Sequence, residues 1–270
     1  MRIPLLLALL AAASPAGAQR LDYRPVSDDA LAAPVRLAYQ AVDTPDVTVE
    51  ETERKRKWPQ WGLLDRFEYA AQRGRDGYAW DFSTLLGGDR HRLWLGTNGE
   101  GGSWARPDYI ELNALYSYNL GGDLDLNAGF RHDLQSGPDR SYAAIGAQYD
   151  SQEESGEALW LGGWAYLSHK GELSARLAGY YSQPLPGDFA IQPSAEIDYY
   201  GSDVPELGLG RGLGYAEAGL RLRYEFEEGK IAPYVGLSWA RDLGRTARLT
   251  REEGDDPETK SLVMGIRSAF

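Results

Sequence analysis

Apolar and polar side chains alternate along much of the chain after residue 61, and the period is two. In LDLNAGFRHD (residues 124–133), Leu124, Leu126, Ala128 and Phe130 fall on one face, and Asp125, Asn127, Gly129, Arg131 and Asp133 on the other. The stretch 216–226 separates Ala218, Leu220, Leu222, Tyr224 and Phe226 from Glu217, Gly219, Arg221, Arg223 and Glu225. Residues 191–198 repeat the arrangement, with Gln192, Ser194, Glu196 and Asp198 opposite Ile191, Pro193, Ala195 and Ile197. Successive side chains of a strand point to opposite faces, so each run predicts a strand with one polar and one apolar side. GYAWDFSTLLGGDRHRLWLG (77–96) reads as two such strands around a tight turn, with Tyr78, Trp80 and Phe82 on the apolar face.

Twelve strand-like segments recur, at 62–72, 76–86, 91–99, 107–119, 123–134, 140–150, 157–168, 172–182, 188–200, 214–227, 230–241 and 260–270. Most have about the ten residues that a tilted strand needs to cross a bilayer. A soluble sandwich alternates as well, so the connections decide. Every second one is short, whereas the others include the Gly- and Trp-containing 99–106, a long 201–213 and the longest, 242–259. Short turns at one end, longer loops at the other and an even strand count are the pattern of an outer-membrane barrel. The last segment closes on Phe270, with Leu262, Met264 and Ile266 on the same face. The expected fold is all-β, a transmembrane antiparallel up-and-down barrel of about twelve strands over residues 61–270.

The remainder of the chain is of a different kind. Residues 1–18 carry Arg2, an apolar Leu5–Ala13 core and Ala16-Gly17-Ala18, the layout of a cleaved secretory signal peptide. Residues 19–60 are rich in Pro, Ala and acidic residues without periodicity, and predict a disordered, flexible periplasmic leader. The address that follows is the outer membrane of a Gram-negative cell, among membrane lipid and lipopolysaccharide. The 270 residues contain no cysteine, which excludes disulfides and thiolate metal sites. A net charge of −12, with no basic cluster large enough to track a phosphate backbone, excludes nucleic acid as a partner.

With the apolar faces in lipid, the polar faces line the interior. The lumen-lining candidates are Asp81, Arg92, Glu111, Asp125, Arg131, Asp133, Arg176, Glu196, Asp198, Glu217, Arg221, Arg223, Glu225 and Arg267. Acidic and basic groups facing one another in this way either hold the barrel's shape or serve the passage of a ligand. The three histidines are His91 at a short turn, read as a solvated turn residue, His132 on the lipid face near the outer rim, and His169 in an external turn. A hydrolytic triad needs an imidazole held between a serine and a carboxylate, and Ser83 and Asp81 make no convincing partner set. No catalytic residue is assigned, and the chain is read as not an enzyme.

The strings DGYAWD (76–81), GGDRHRLWL (87–95), VPELGLGRGL (204–213), LRLRYE (220–225) and APYVGLSW (232–239) resemble, in the same order, the copper-resistance protein B family of outer-membrane proteins. That resemblance implies a role in copper homeostasis, binding or passing copper ions through an acidic polar lumen, beside a periplasmic multicopper oxidase as partner. It implies no tightly bound cofactor, with copper itself as the ligand. Family members commonly carry a Met- and His-rich leader. Residues 19–60 here contain neither residue, and Met264 is the one methionine beyond the initiator. Soft Cu(I) favours sulfur ligands and Cu(II) favours imidazole with oxygen donors, so a thioether cradle for Cu(I) cannot be built. The alternatives are a general small porin or structural barrel without metal specificity, and an outer-membrane lipid-modifying enzyme.

Overall fold

The structure, a computed structural model, describes residues 60–102, 106–152, 156–226 and 230–270. The signal segment 1–18 and the leader, apart from Gln60, lie outside the described residues. Twelve antiparallel strands close into a ring in which each pairs with its sequence neighbours and β1 with β12. They are β1 (Gln60–Gln72), β2 (Gly77–Gly87), β3 (His91–Gly101), β4 (Tyr109–Gly121), β5 (Leu124–Gln135), β6 (Arg140–Gln152), β7 (Ala158–Ser168), β8 (Leu173–Leu185), β9 (Phe189–Tyr200), β10 (Gly212–Tyr224), β11 (Ile231–Asp242) and β12 (Glu258–Ala269). Each predicted segment has its strand, with boundaries displaced by a few residues at most. Ring closure leaves no sheet edge unpaired, which a strand in hydrocarbon cannot tolerate. Backbone bonds from Gly62 N–H to Phe270 O (2.7 Å) and back from Phe270 N–H to Gly62 O (3.0 Å) complete the seam.

The outward face is apolar and solvent-accessible in the isolated chain. Phe130 is 72% exposed, Ile145 66% and Leu177 62%, which only a lipid environment makes favourable. The short-turn end is built from residues that accept left-handed backbone. Gly121 and Gly122 have φ of 108° and 64° between β4 and β5, and Gly187 and Asp188 have 76° and 60° between β8 and β9. At the other end the two longest connections fold over the mouth. One holds a single 3₁₀ turn (Pro205–Leu207) and the other a short helix, α1 (Thr246–Glu252). Gly210 N–H donates to Thr246 Oγ1 (3.0 Å) and Arg245 pairs with Asp203 (3.0 Å), so the two loops brace each other.

The inward face departs from the polar lining that alternation implies. Leu85, Trp94, Leu115, Ala144, Trp160, Trp164, Tyr166, Ala178 and Tyr180, from β2 to β8, are buried in one cluster inside the barrel. Trp160 lies between Trp164 (ring centroids 6.0 Å apart) and Tyr180 (5.5 Å). Glycines give these rings their space. A Cβ on Gly162 or Gly146 would stand 2.1 or 2.2 Å from the Trp164 ring. Part of the interior is thus plugged by aromatic and aliphatic side chains, and the charged groups lie around it.

Candidate functional site

Two ion-paired clusters occupy the remaining interior, and alternation delivers most of their members. In the first, the Arg131 guanidinium grips Asp133 with Nε and Nη2 (2.7 and 2.8 Å) and meets Glu111 at 2.8 Å. Arg176 grips Asp198 in the same forked manner (3.0 and 3.2 Å), pairs with Glu196 at 2.9 Å, and reaches Glu111 across the barrel at 3.5 Å. Tyr109 and Asn113 donate to the two Glu111 oxygens (3.0 and 2.7 Å). Arg131 also lies over the Tyr142 and Tyr166 rings, 5.2 and 4.8 Å from their centroids. Four carboxylates here face two guanidinium groups, all buried.

The second cluster joins β1 to β10–β12. Arg221 pairs with Glu68 across the barrel (3.0 Å), Arg267 with Asp65 (3.0 Å), and Arg223 with Glu225 (3.2 Å) and the Ser182 hydroxyl (2.7 Å). Glu217 accepts from Ser238 (3.1 Å) and Tyr215 (3.3 Å), and Asp81 is buried in the same region. Nearer the short turns, Arg92 holds both oxygens of Asp125 at 2.6 Å. All fourteen lumen candidates therefore lie on the inward side of the barrel or at its rim; Arg92 and Glu225 are half-buried and the rest are buried.

Sequence reasoning missed Asp65, Arg66 and Glu68, all on the inner side of β1. The pairing of β1 shifts register between Leu64 and Phe67, a bulge that places Asp65 and Arg66 on the same side. Arg140 was missed as well. It is fully buried and binds Glu172 (3.1 Å) and Glu206 (2.7 Å) in the loops above. Every buried cation among the described residues is an arginine. Its planar fork can satisfy two carboxylate oxygens at once, which the lysine ammonium cannot.

At the long-loop end a cavity of about 930 Å³ opens above the second cluster. Its lining includes Asp76, Asp242, Glu253, Asp255, Asp256 and Glu258, against Arg73 and Lys260. Such one-sided charge at the mouth of a low-dielectric wall raises the local concentration of cations. Asp76 accepts hydrogen bonds from the Tyr69 hydroxyl and then from Gln72 N–H, and the two hold its carboxyl below the usual range. The run REEGDDPE (251–258), within the connection predicted to be longest, was the signal for this mouth. Inside the barrel, two spaces of about 20 and 30 Å³ border the ion clusters, each on the scale of one water molecule.

The histidines stay outside. His91 is the exposed first residue of β3, at the edge of the short β2–β3 turn, where its carbonyl accepts from Gly88 N–H (3.0 Å). It hydrogen-bonds Tyr116 (2.5 Å) and packs against the Tyr116 and Tyr118 rings in an outward aromatic group. It stands opposite Tyr118 in the β3–β4 register. His132 lies on the outward side of β5 and His169 in the β7–β8 turn. Among the described residues, no three His, Cys, Asp or Glu side chains are gathered to hold a metal ion.

The profile of the family described as Copper resistance protein B precursor (CopB) matches residues 60–270, the whole barrel. The chain belongs to this family. It is 35% identical over 208 residues to a copper resistance protein B homolog of Pseudomonas syringae pv. tomato, covering 77% of this chain and 69% of that one. With copper resistance protein B of Escherichia coli it shares 32% over 212 residues, 77% of this chain and 68% of the relative. Among solved structures, the NanC porin superposes with a TM-score of 0.50 at 14% identity, over 74% of this chain and 97% of the porin. That likeness carries the fold. Family and fold together place the protein in the outer membrane with a role in copper resistance.

Proposed function

We propose that this family member serves copper resistance without catalysis, by binding copper ions at the acidic mouth of a barrel whose interior is closed by ion pairs and aromatic rings. The observation that carries the reading is the pairing of a copper-resistance barrel sequence with a six-carboxylate vestibule above a filled interior. Oxygen donors of this kind suit Cu(II) and not Cu(I). The carboxylates of the mouth act as a field that concentrates the cation; the packed clusters below favour binding over flow through an open lumen. Non-enzymatic action fits His132, whose Nδ1 meets the Ser141 hydroxyl (2.9 Å) and not the carboxylate that a triad uses to orient its imidazole. Lipid and lipopolysaccharide are the proposed surroundings of the apolar belt. A periplasmic multicopper oxidase, the partner implied by the family resemblance, would be met at the short-turn end.

The test compares copper tolerance and cell copper content in a deletion strain complemented with wild type or with Glu253→Gln/Asp255→Asn/Asp256→Asn. We expect deletion to lower tolerance and the triple variant to restore it only in part. Unchanged tolerance on deletion overturns the copper reading. Full restoration by the triple variant overturns binding at the mouth. A general porin, by contrast, would alter the uptake of small solutes irrespective of copper.

A further inference from the structure

The connection that carries α1 sends its charges in two directions. Thr246, Thr250 and Glu253 line the acidic cavity at the mouth. Arg245, Arg248 and Arg251 recur at every third position and are exposed. A helix turns about 100° per residue, so this spacing sets the arginines on the side away from the cavity. Asp203, in the neighbouring connection, gathers them: it pairs with Arg245 (3.0 Å) and accepts from the Arg211 N–H (2.8 Å). Arg251 donates one N–H to Ala247 O (2.9 Å), and Glu252 offsets one charge. The guanidinium groups of Arg211 and Arg248 are exposed and have no partner among the described residues. Directly below lies the apolar belt. Leu213, two residues after Arg211, is 52% exposed and pairs with the outward Tyr199. On β11 the outward Trp239 donates its indole N–H to Glu258 (2.9 Å), and Arg241 follows two positions above it. Such an aromatic marks the level at which hydrocarbon gives way to headgroups.

We infer that Arg211, Arg245 and Arg248, with Arg251 beside them, form a docking surface for the phosphate groups of lipopolysaccharide in the outer leaflet. This deepens the lipopolysaccharide surroundings proposed above and does not depend on copper. The chemistry is complementary, since a planar guanidinium fork takes two phosphate oxygens at once. The level is complementary as well. The long-loop end of an outer-membrane barrel faces the cell exterior, and the lipid A phosphates of that leaflet sit just above the acyl chains. The arginines stand at the same height, one step above Leu213 and Trp239. A helix of seven residues is too short to persist in water by itself, so α1 depends on its contacts. Thr246 and Arg245 hold it to the connection 201–211, and a bound phosphate adds a hold from the lipid side. The element that lines the vestibule on one side is thereby moored to the membrane surface on the other.

The experiment titrates rough-type lipopolysaccharide, carrying both lipid A phosphates, into the folded full-length barrel in non-ionic detergent and follows the complex by native mass spectrometry. Folding of each variant is checked by faster migration on unheated SDS gels. Wild-type affinity should fall at least tenfold when the lipid is dephosphorylated. Arg211→Gln/Arg248→Gln should show the same loss with the intact lipid. Arg90→Gln/Lys230→Gln removes equal charge from exposed residues at the short-turn end and should bind as wild type does. Full binding by the Arg211/Arg248 variant, or an equal loss in the short-turn variant, overturns the surface. So does wild-type binding that is indifferent to the lipid's phosphates, matched by phosphatidylglycerol, or displaced by inorganic phosphate at the same phosphate concentration. Lipopolysaccharide bound equally by all variants would remove the site and leave the lipid setting intact. The titration contains no copper, so failure of the copper reading and failure of this surface are read separately.

Discussion

Arg176 shows how much one side chain does in this interior. It faces Glu196 and Asp198 and reaches Glu111, all buried. Removing one partner of a buried ionic group leaves uncompensated charge, so Arg176→Met should cost about 3–5 kcal/mol. Arg176→Lys keeps the charge but loses the fork and should fall between the two. Urea unfolding in micelles, followed by tryptophan fluorescence, measures both; a lysine variant as stable as wild type would show that charge alone matters. Gly162→Ala is the complementary case, since its methyl would meet the Trp164 ring and should destabilise by about 1–3 kcal/mol in the same assay. Alternation made Glu111, Arg176 and Asp198 legible because each is polar and flanked by apolar neighbours. Asp65 and Arg66 were not legible, as a bulge puts consecutive residues on one side and breaks the period. Trp160 and Tyr180 were hidden for another reason. An apolar residue reads as lipid-facing by pattern, and nothing local says that the interior would be filled with rings.

Among the elements, the connection 201–211 has the most to reveal. Leu207 and Leu209 cover the space above Arg131 and Arg176, and Val204 and Leu209 pack with Tyr200 beneath them. Glu206 latches the loop to Arg140 (2.7 Å) and Lys170 (3.2 Å). Its own backbone N–H, then Lys170 and Arg140, hold its carboxyl below the ordinary value of 4.5. Burial would raise Glu172, but hydrogen bonds from Ser168 and Arg140 outweigh it and the net shift is also downward. Carboxyls with depressed values in the latched state favour that state above the ordinary value, and the contribution fades as pH falls through the depressed values. Hydrogen exchange of residues 203–210, corrected for intrinsic rates, should therefore stay slow from pH 7 to 5 and quicken below 4.5. Arg140→Ala should make it fast throughout. Equal protection in that variant would mean that Leu207, Leu209 and the Thr246 contact suffice to hold the loop. The strand rhythm and turn glycines announced where this loop begins and ends. Its folding inward depends on partners 36 to 66 residues away and has no local signature.

At the scale of the molecule, a twelve-strand ring is wide enough for a water-filled channel, and what fills it decides whether one exists. Here the β2–β8 side carries the aromatic cluster, with the Arg131–Arg176 network beside it, and the β1, β10–β12 side carries the second set of arginine–carboxylate pairs, two materials that close space in different ways. Rings exclude water outright. Ion pairs would admit it only by giving up short contacts whose replacement in a low-dielectric interior is costly. Reconstituted in a planar bilayer, the wild-type barrel should therefore show no steady current steps. Trp160→Ala/Trp164→Ala removes two large side chains that the neighbouring glycines cannot replace. It should open measurable conductance, at a loss of about 3–5 kcal/mol per site. Steady wild-type channels of fixed size would instead mean that the clusters part readily, and would favour passage through the lumen over binding at the mouth. If only the double variant conducts, the acidic vestibule ends at a closed floor, and copper concentrated there has to be held or handed back.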